Sequence, residues 1–136
     1  MTNVTEVTSP VPERVQQLLH AMTLSEKIGQ LSLLPGVGTG ADEELVGAIR
    51  EGRVGGLLNE VDAGTIRKLQ RLAVEESRLG IPLLFGRDVV HGFKTVFPIP
   101  LGMADGWSRD LVRQCARFSA LDASASGINW TYAPRL

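Results

Sequence analysis

The chain has 136 residues, a length typical of a single domain, and 43% of them are hydrophobic, which is enough to form an apolar core. Its formal net charge of −1 gives no electrostatic basis for binding nucleic acid or an anionic membrane surface. Cys115 is the only cysteine, which excludes a disulfide scaffold and a multi-cysteine metal site.

The N-terminal region is polar and carries neither the apolar core of a signal peptide nor a membrane-spanning run. Residues 1–11 are expected to form a flexible arm, and a cytoplasmic location without a membrane partner is the default expectation. Pro12 can open a first helix that reaches about Met22, because proline is tolerated in a first helical turn. Thr23 and Glu26 then match the T-x-x-E pattern of a capping box, which predicts a second helix.

From residue 31 onwards, short apolar segments alternate with amphipathic helical segments. The run Leu31–Leu34 is too short for its periodicity to distinguish a strand from a helix end. Further helices are predicted over residues 41–52, 62–80 and 108–126. Asp62 and Ser108 are the expected N-caps, and Gly52, Gly80 and Gly127 are the expected C-terminal stops. Strands are predicted to begin at Val54, Ile81 and Ile128. Residues 87–107 contain two prolines and three glycines and are predicted to form a long loop.

Continuous apolar strands that alternate with helices favour a parallel sheet covered on both faces. Two architectures agree with this pattern, an open doubly wound sheet and a (β/α)8 barrel. The sequence supplies about three to four strands, whereas a closed barrel of this kind has eight. The residues alone leave this choice open.

In parallel α/β folds, ligands bind beyond the carboxyl ends of the strands, which here selects residues 59–62 and 87–92. Asp88 is the strongest candidate because it directly follows a buried apolar strand, where an unpaired carboxylate costs free energy. Its carboxylate could accept hydrogen bonds from two neighbouring hydroxyls of a sugar ring. The alternative is that Asp88 pairs with Arg87 or caps a local turn.

Simpler explanations are available for the other polar candidates. Glu60 could reach a ligand site, although a solvated loop residue is its expected role. Asp62 is expected to be a helix cap and Asp122 a partly buried structural acid. His91 could be a general base, a metal ligand or a loop anchor. A metal site needs three or four ligands, and the other histidine, His20, belongs to the first helix. We therefore expect no metal and a hydrogen-bonded structural role for His91.

Several blocks of the chain are similar, in order and spacing, to the N-terminal domain of glycoside hydrolase family 3. They are MTLSEKIGQL, GRVGGLLN, AVEESRLGIPLLFGRDVVHGFKTVFPIPLGMA and ASASGINWTYAP, within about residues 12–134. The form RDVVHG resembles the β-glucosidase and β-xylosidase branch rather than the N-acetylglucosaminidase branch. The resemblance implies a partial (β/α)8 TIM-like barrel of about three to four parallel β/α units, with residues 12–136 as an incomplete barrel domain.

The resemblance further implies hydrolysis of terminal β-linked glucosyl residues, in β-glucosides or oligosaccharides, with retention and through two carboxyl groups. The family's aspartate that matches Asp88 binds hydroxyls of the sugar in the first subsite. No metal or organic cofactor is implied, and Arg87 stands where an apolar residue is frequent in the family. The nucleophile and the acid/base belong to later segments, so no catalytic residue is assigned here.

Two expectations for the whole chain follow. The first is an N-terminal fragment of a retaining β-glucosidase-type hydrolase, which is inactive alone because the nucleophile and the acid/base are missing. This fragment is expected to self-associate, because a barrel cut after a few strands exposes two sheet edges. The second is a stand-alone sugar-binding or protein-interaction half-barrel without catalysis.

Overall fold

The computed structural model describes residues 11–38 and 40–133, so the arm predicted over residues 1–11 lies outside the described residues apart from Val11. The helices are α1 (Glu13–Ala21), α2 (Leu24–Gly29), α3 (Glu43–Arg50), α4 (Ala63–Glu75), α5 (Pro100–Asp105) and α6 (Arg109–Ala125). The strands are β1 (Leu33–Pro35), β2 (Gly56–Leu58), β3 (Leu84–Arg87) and β4 (Trp130–Thr131). Over these residues, no helix combines the length and the apolar character needed to cross a bilayer.

The strands form one parallel sheet in the sequential order β1-β2-β3-β4. One or two helices lie between each pair of successive strands, which is the usual connection between neighbouring parallel strands. A doubly wound sheet reverses its strand order at a switch point, whereas a (β/α)8 barrel adds each strand beside the last. The order seen here is that of the opening units of a barrel, which confirms the predicted parallel α/β class.

The main core lies between the sheet and the helices α3 and α4. It consists of Leu45, Ala48, Ile49, Val54, Leu57, Ile66, Leu69, Ala73, Leu83 and Phe85. Leu57 and Phe85 are paired in the register of β2 and β3 and are 0% and 1% exposed. Because side chains alternate along a strand, the neighbouring residues Gly56, Leu84 and Gly86 belong to the opposite face of the sheet.

Capping side chains begin the helices where the sequence predicts them. Thr23 and Glu26 form both halves of a capping box at α2. The Asp62 carboxylate accepts a hydrogen bond of 2.7 Å from the Thr65 N–H at α4, and the Ser108 hydroxyl accepts one of 3.3 Å from the Leu111 N–H at α6. All three predicted caps are confirmed.

The predicted end of α4 and the loop predicted over residues 87–107 were wrong. The helix predicted to reach Gly80 ends at Glu75, and the Ser77 hydroxyl then donates to the Ala73 carbonyl at 2.5 Å, a local bond that competes with helix continuation. The loop predicted over residues 87–107 contains the short helix α5. Pro100 is its first residue, so this proline opens a helix instead of marking a loop.

An ion pair ties the first two helices to the segment that follows α4. Arg78 donates from Nε to Oε1 of Glu26 at 3.0 Å and from Nη2 to Oε2 at 2.6 Å, and Nη2 also donates to the Ala21 carbonyl. Hydrogen bonds from Arg78, and then the backbone N–H of Thr23, lower the pKa of Glu26 from 4.5 to about 2. Ionisation of the Glu26 carboxylate is therefore more favourable in the folded chain than in the unfolded chain.

Replacement of this carboxylate should change how stability depends on acid. A lowered native pKa contributes stability that is complete above about 4.5 and is lost as the pH falls towards about 2, because the unfolded chain binds the proton first. Glu26→Gln should therefore lower the thermal midpoint at neutral pH and flatten its decline over this window. Glu75→Gln, which alters an exposed acid paired with Arg71, is the control. Parallel acid profiles for Glu26→Gln and the wild type would contradict this assignment.

The face of the sheet opposite the core is open. Leu33, Leu84 and Trp130 belong to this face and are 39%, 46% and 39% exposed. Among the described residues, β1 pairs only with β2 and β4 only with β3, so the sheet has two free edges. An apolar groove of about 740 Å³ also runs between α6 and β4. Unpaired edges and open apolar faces favour association between chains.

The 136-residue polypeptide is therefore expected to self-associate, which size-exclusion chromatography with light scattering would detect. Leu84→Glu, on the open face, should shift the distribution towards monomer because it places a charge on the surface that associates. Leu101→Glu, at a residue of α5 that is 78% exposed, is the control and should leave the distribution unchanged. A monodisperse wild-type monomer with one sharp thermal transition would contradict this expectation and favour the stand-alone half-barrel.

Candidate functional site

The loops that follow β1, β2 and β3 lie together at the carboxyl edge of the sheet. The Gly36 N–H donates to the Leu58 carbonyl at 2.6 Å and so holds the loop after β1 against the end of β2. A Cβ at position 36 would lie 2.6 Å from the backbone nitrogen of Glu60, so only glycine allows this approach. In parallel α/β folds, ligands bind at this edge.

Asp88 lies at the position that the sequence predicts for a ligand-binding group. It follows the last residue of β3 and is exposed, between the half-buried Arg87 and the buried Val89. Nη1 of Arg87 donates to Oδ1 of Asn59 at 3.1 Å, across from β3 to the loop after β2. The carboxyl edge therefore presents an acid at β3 beside a guanidinium that is bonded to the neighbouring loop.

The expectation that Glu60 is a solvated loop residue is wrong. It is 1% exposed and accepts hydrogen bonds from four backbone N–H groups. The donors are Val37 and Gly38 at 3.0 Å each, Val61 at 2.9 Å and Asp62 at 3.0 Å. Hydrogen bonds from four donors offset the free-energy cost of removing a carboxylate from water, which explains why the protein can bury one here. The only feature of the sequence that could have indicated this burial is the position of Glu60 just before a predicted N-cap.

Asn59 adopts an unusual backbone conformation beside this carboxylate. Its φ is +65°, in the left-handed region that asparagine tolerates better than most residues. Its N–H donates to the Gly86 carbonyl at 2.8 Å and its side chain accepts from Arg87. The loop after β2 is thus bonded to the end of β3 through both backbone and side chain.

Two aromatic residues of the β4 segment lie on the open face of the sheet. The rings of Trp130 and Tyr132 are 4.7 Å apart between centroids and tilted by 52°. The hydroxyl of Tyr132 is buried over Gly86, in the space that a Cβ there would occupy. Strand alternation places residues 130 and 132 on one face, but the sequence pattern does not indicate that their rings are in contact.

The remaining candidates are structural, as the sequence analysis expects. Nδ1 of His91 lies 3.0 Å from the Phe97 carbonyl oxygen, and the partly buried Asp122 accepts hydrogen bonds of 2.9 Å from the N–H groups of Lys94 and Thr95. These contacts close the long loop after β3. His20 contacts the Gln16 carbonyl within α1. The residues described here contain no group of three or more potential metal ligands.

Sequential parallel units with polar loops at the carboxyl edge define part of a (β/α)8-type barrel. Residues 23–136 match the Glycosyl hydrolase family 3 N terminal domain. Because this match includes most of the chain, the chain belongs to glycoside hydrolase family 3.

Named relatives agree with this membership. The chain is 45% identical over 120 residues to a periplasmic β-glucosidase of Salmonella typhimurium, covering 88% of this chain and 16% of the relative. A β-glucosidase structure from Listeria innocua is 38% identical with a TM-score of 0.77, covering 92% of this chain and 19% of that one. A structure of a β-N-acetylhexosaminidase from Beutenbergia cavernae is 26% identical with a TM-score of 0.60, and the match covers 83% of this chain and 38% of that one. The chain thus spans under a fifth of these β-glucosidases.

The packing of Gly86 against Tyr132 can be tested with a double-mutant cycle. Gly86→Ala should lower stability by about 1–3 kcal/mol, because the new methyl group displaces a buried hydroxyl. In a Tyr132→Phe background, the loss should be smaller, since the nearest clashing atom is gone. Thermal unfolding at one protein concentration, with the near-ultraviolet circular dichroism of the Trp130–Tyr132 pair, reports both effects.

Gly47→Ala is the matched control for this cycle. Nothing lies within 4 Å of a Cβ at position 47, inside α3, so this variant should be stabilised by roughly 0.5–1 kcal/mol. If Gly86→Ala and Gly47→Ala change stability alike, Tyr132 does not occupy the space over Gly86.

Proposed function

We propose that this chain forms the sugar-binding edge of a retaining β-glucosidase-type hydrolase, and that Asp88 binds hydroxyls of the terminal glucosyl residue. The observation that carries the proposal is an exposed carboxylate directly after β3, at the carboxyl edge of a parallel barrel segment. Related structures of the Listeria innocua β-glucosidase contain laminaribiose or glucose, which supports a β-glucoside as the substrate class.

The chemistry of a carboxylate suits this task. Its two oxygens are acceptors, so it can bind two neighbouring hydroxyls of a sugar ring at once. Hydrogen bonds to a charged group are stronger than those between neutral groups, and their geometry selects the orientation of the ring. Such binding holds the glycosidic bond in place for reaction, while the two reacting carboxyl groups of a retaining hydrolase are separate groups. Asp88 therefore binds the sugar and takes no part in breaking the glycosidic bond.

The test uses a chimera in which this 136-residue chain replaces the matching segment of the Listeria innocua β-glucosidase. Asp88→Ala should lower kcat/KM for an aryl β-glucoside by roughly two to four decades, because two hydrogen bonds of ~1.5–3 kcal/mol each are lost. Asp88→Asn keeps one acceptor oxygen and should lose less. Release of the aryl chromophore measures both.

Asp110→Ala is the control in the same chimera, because Asp110 is an exposed aspartate paired with Arg113 on α6. It should leave kcat/KM within about threefold of the wild-type value. An equally small effect of Asp88→Ala would remove Asp88 from the sugar site.

A further inference from the structure

A buried carboxylate joins two loops at the edge where the proposed sugar site lies. Oε2 of Glu60 accepts from the N–H groups of Val37 and Gly38, in the loop after β1. Oε1 accepts from the N–H groups of Val61 and Asp62, at the start of α4. Both oxygens are therefore saturated with backbone donors. Since each loop supplies two of the four donors, the carboxylate fixes the position of one loop relative to the other.

The same carboxylate is connected to the neighbourhood of Asp88 through adjacent residues. Asn59 directly precedes Glu60 and is held at a φ of +65°. In this conformation its N–H donates a hydrogen bond to the Gly86 carbonyl, and its side-chain oxygen accepts one from Nη1 of Arg87. Arg87 in turn directly precedes Asp88. A displaced Glu60 would therefore release Asn59 and loosen the end of β3 on one side.

We propose that Glu60 is a positioning residue of the sugar site, acting through Asn59 and Arg87 on Asp88. This inference rests on the proposed function, because it takes Asp88 as the sugar-binding group. Glu60 itself touches no substrate, since the residue is 1% exposed and its carboxylate accepts hydrogen bonds from four backbone N–H groups. Only a carboxylate offers acceptors to all four donors, whereas a glutamine amide would direct its NH2 group at two of them.

Asp62 provides a matched control for a purely structural effect. It belongs to the same loop, and its carboxylate caps α4 through the Thr65 N–H. Asp62→Ala removes that cap and leaves the four hydrogen bonds of Glu60 in place, because Asp62 contributes to them only its backbone N–H. General weakening of the loop and of α4 should appear in both variants, whereas misplacement of Asp88 should appear only in Glu60→Ala.

The first experiment measures hydrogen exchange in the complete 136-residue chain. Glu60→Ala should accelerate exchange at the amides of Val37, Gly38, Val61 and Asp62. Added formate, which can occupy the space between the four donors, should slow it again. Asp62→Ala should not show this response to formate. Wild-type exchange rates at these amides in Glu60→Ala would overturn the inference.

The second experiment measures kcat and KM in the Listeria innocua chimera. Glu60→Ala should raise KM and lower kcat/KM by about tenfold or more, because small displacements of a binding group are costly. Formate should restore much of this loss in Glu60→Ala and none of it in Asp88→Ala. Asp62→Ala should stay within about threefold of wild type.

The two proposals fail in different ways. If Asp88→Ala leaves kcat/KM unchanged, the sugar-binding role of Asp88 is wrong and the role of Glu60 is lost with it. If Asp88→Ala lowers kcat/KM as predicted while Glu60→Ala behaves like Asp62→Ala, only the positioning role of Glu60 is wrong.

Discussion

The parallel pairing of β2 with β3 determines where every other part of the site can lie. Leu57 pairs with Phe85, and both side chains enter the core formed with α3 and α4. A shift of one residue would turn these side chains to the opposite face, so burial fixes the register. The same register brings Asn59 to the end of β3, where it bonds to Gly86 and Arg87. Packing on one face thus sets the geometry of the polar edge.

Close contacts around glycines allow the strands and loops to meet so tightly. Gly36 lets the first loop approach the backbone of Glu60, and Gly86 leaves space for the hydroxyl of Tyr132. Asn129 completes the contact between β3 and the β4 segment, because its side-chain amide accepts from the Phe85 N–H and donates to the Leu83 carbonyl. These contacts bring the β4 segment, with its two aromatic rings, against the strand that ends at Asp88.

Local sequence patterns predicted those features that depend on neighbouring residues. The caps at Thr23, Asp62 and Ser108 each involve a donor three residues away, and the position of Asp88 follows from the end of one apolar strand. The environment of Glu60 could not be predicted in this way. Two of its donors are backbone N–H groups that lie 22 and 23 residues earlier in the chain. Every residue except proline has such a group, so the identity of these residues does not indicate the contact. The interaction between Arg87 and Asn59 spans 28 residues and was likewise missed.

In the function proposed above, Asp88 binds the terminal sugar at an edge shaped by the neighbouring loops. A crystal structure of the Listeria innocua chimera with bound glucose would test it most directly. The account predicts both carboxylate oxygens of Asp88 within hydrogen-bond distance of two adjacent glucose hydroxyls, with the carboxylate of Glu60 still bonded to the four backbone N–H groups. Glucose bound at this edge without contact to Asp88 would contradict it.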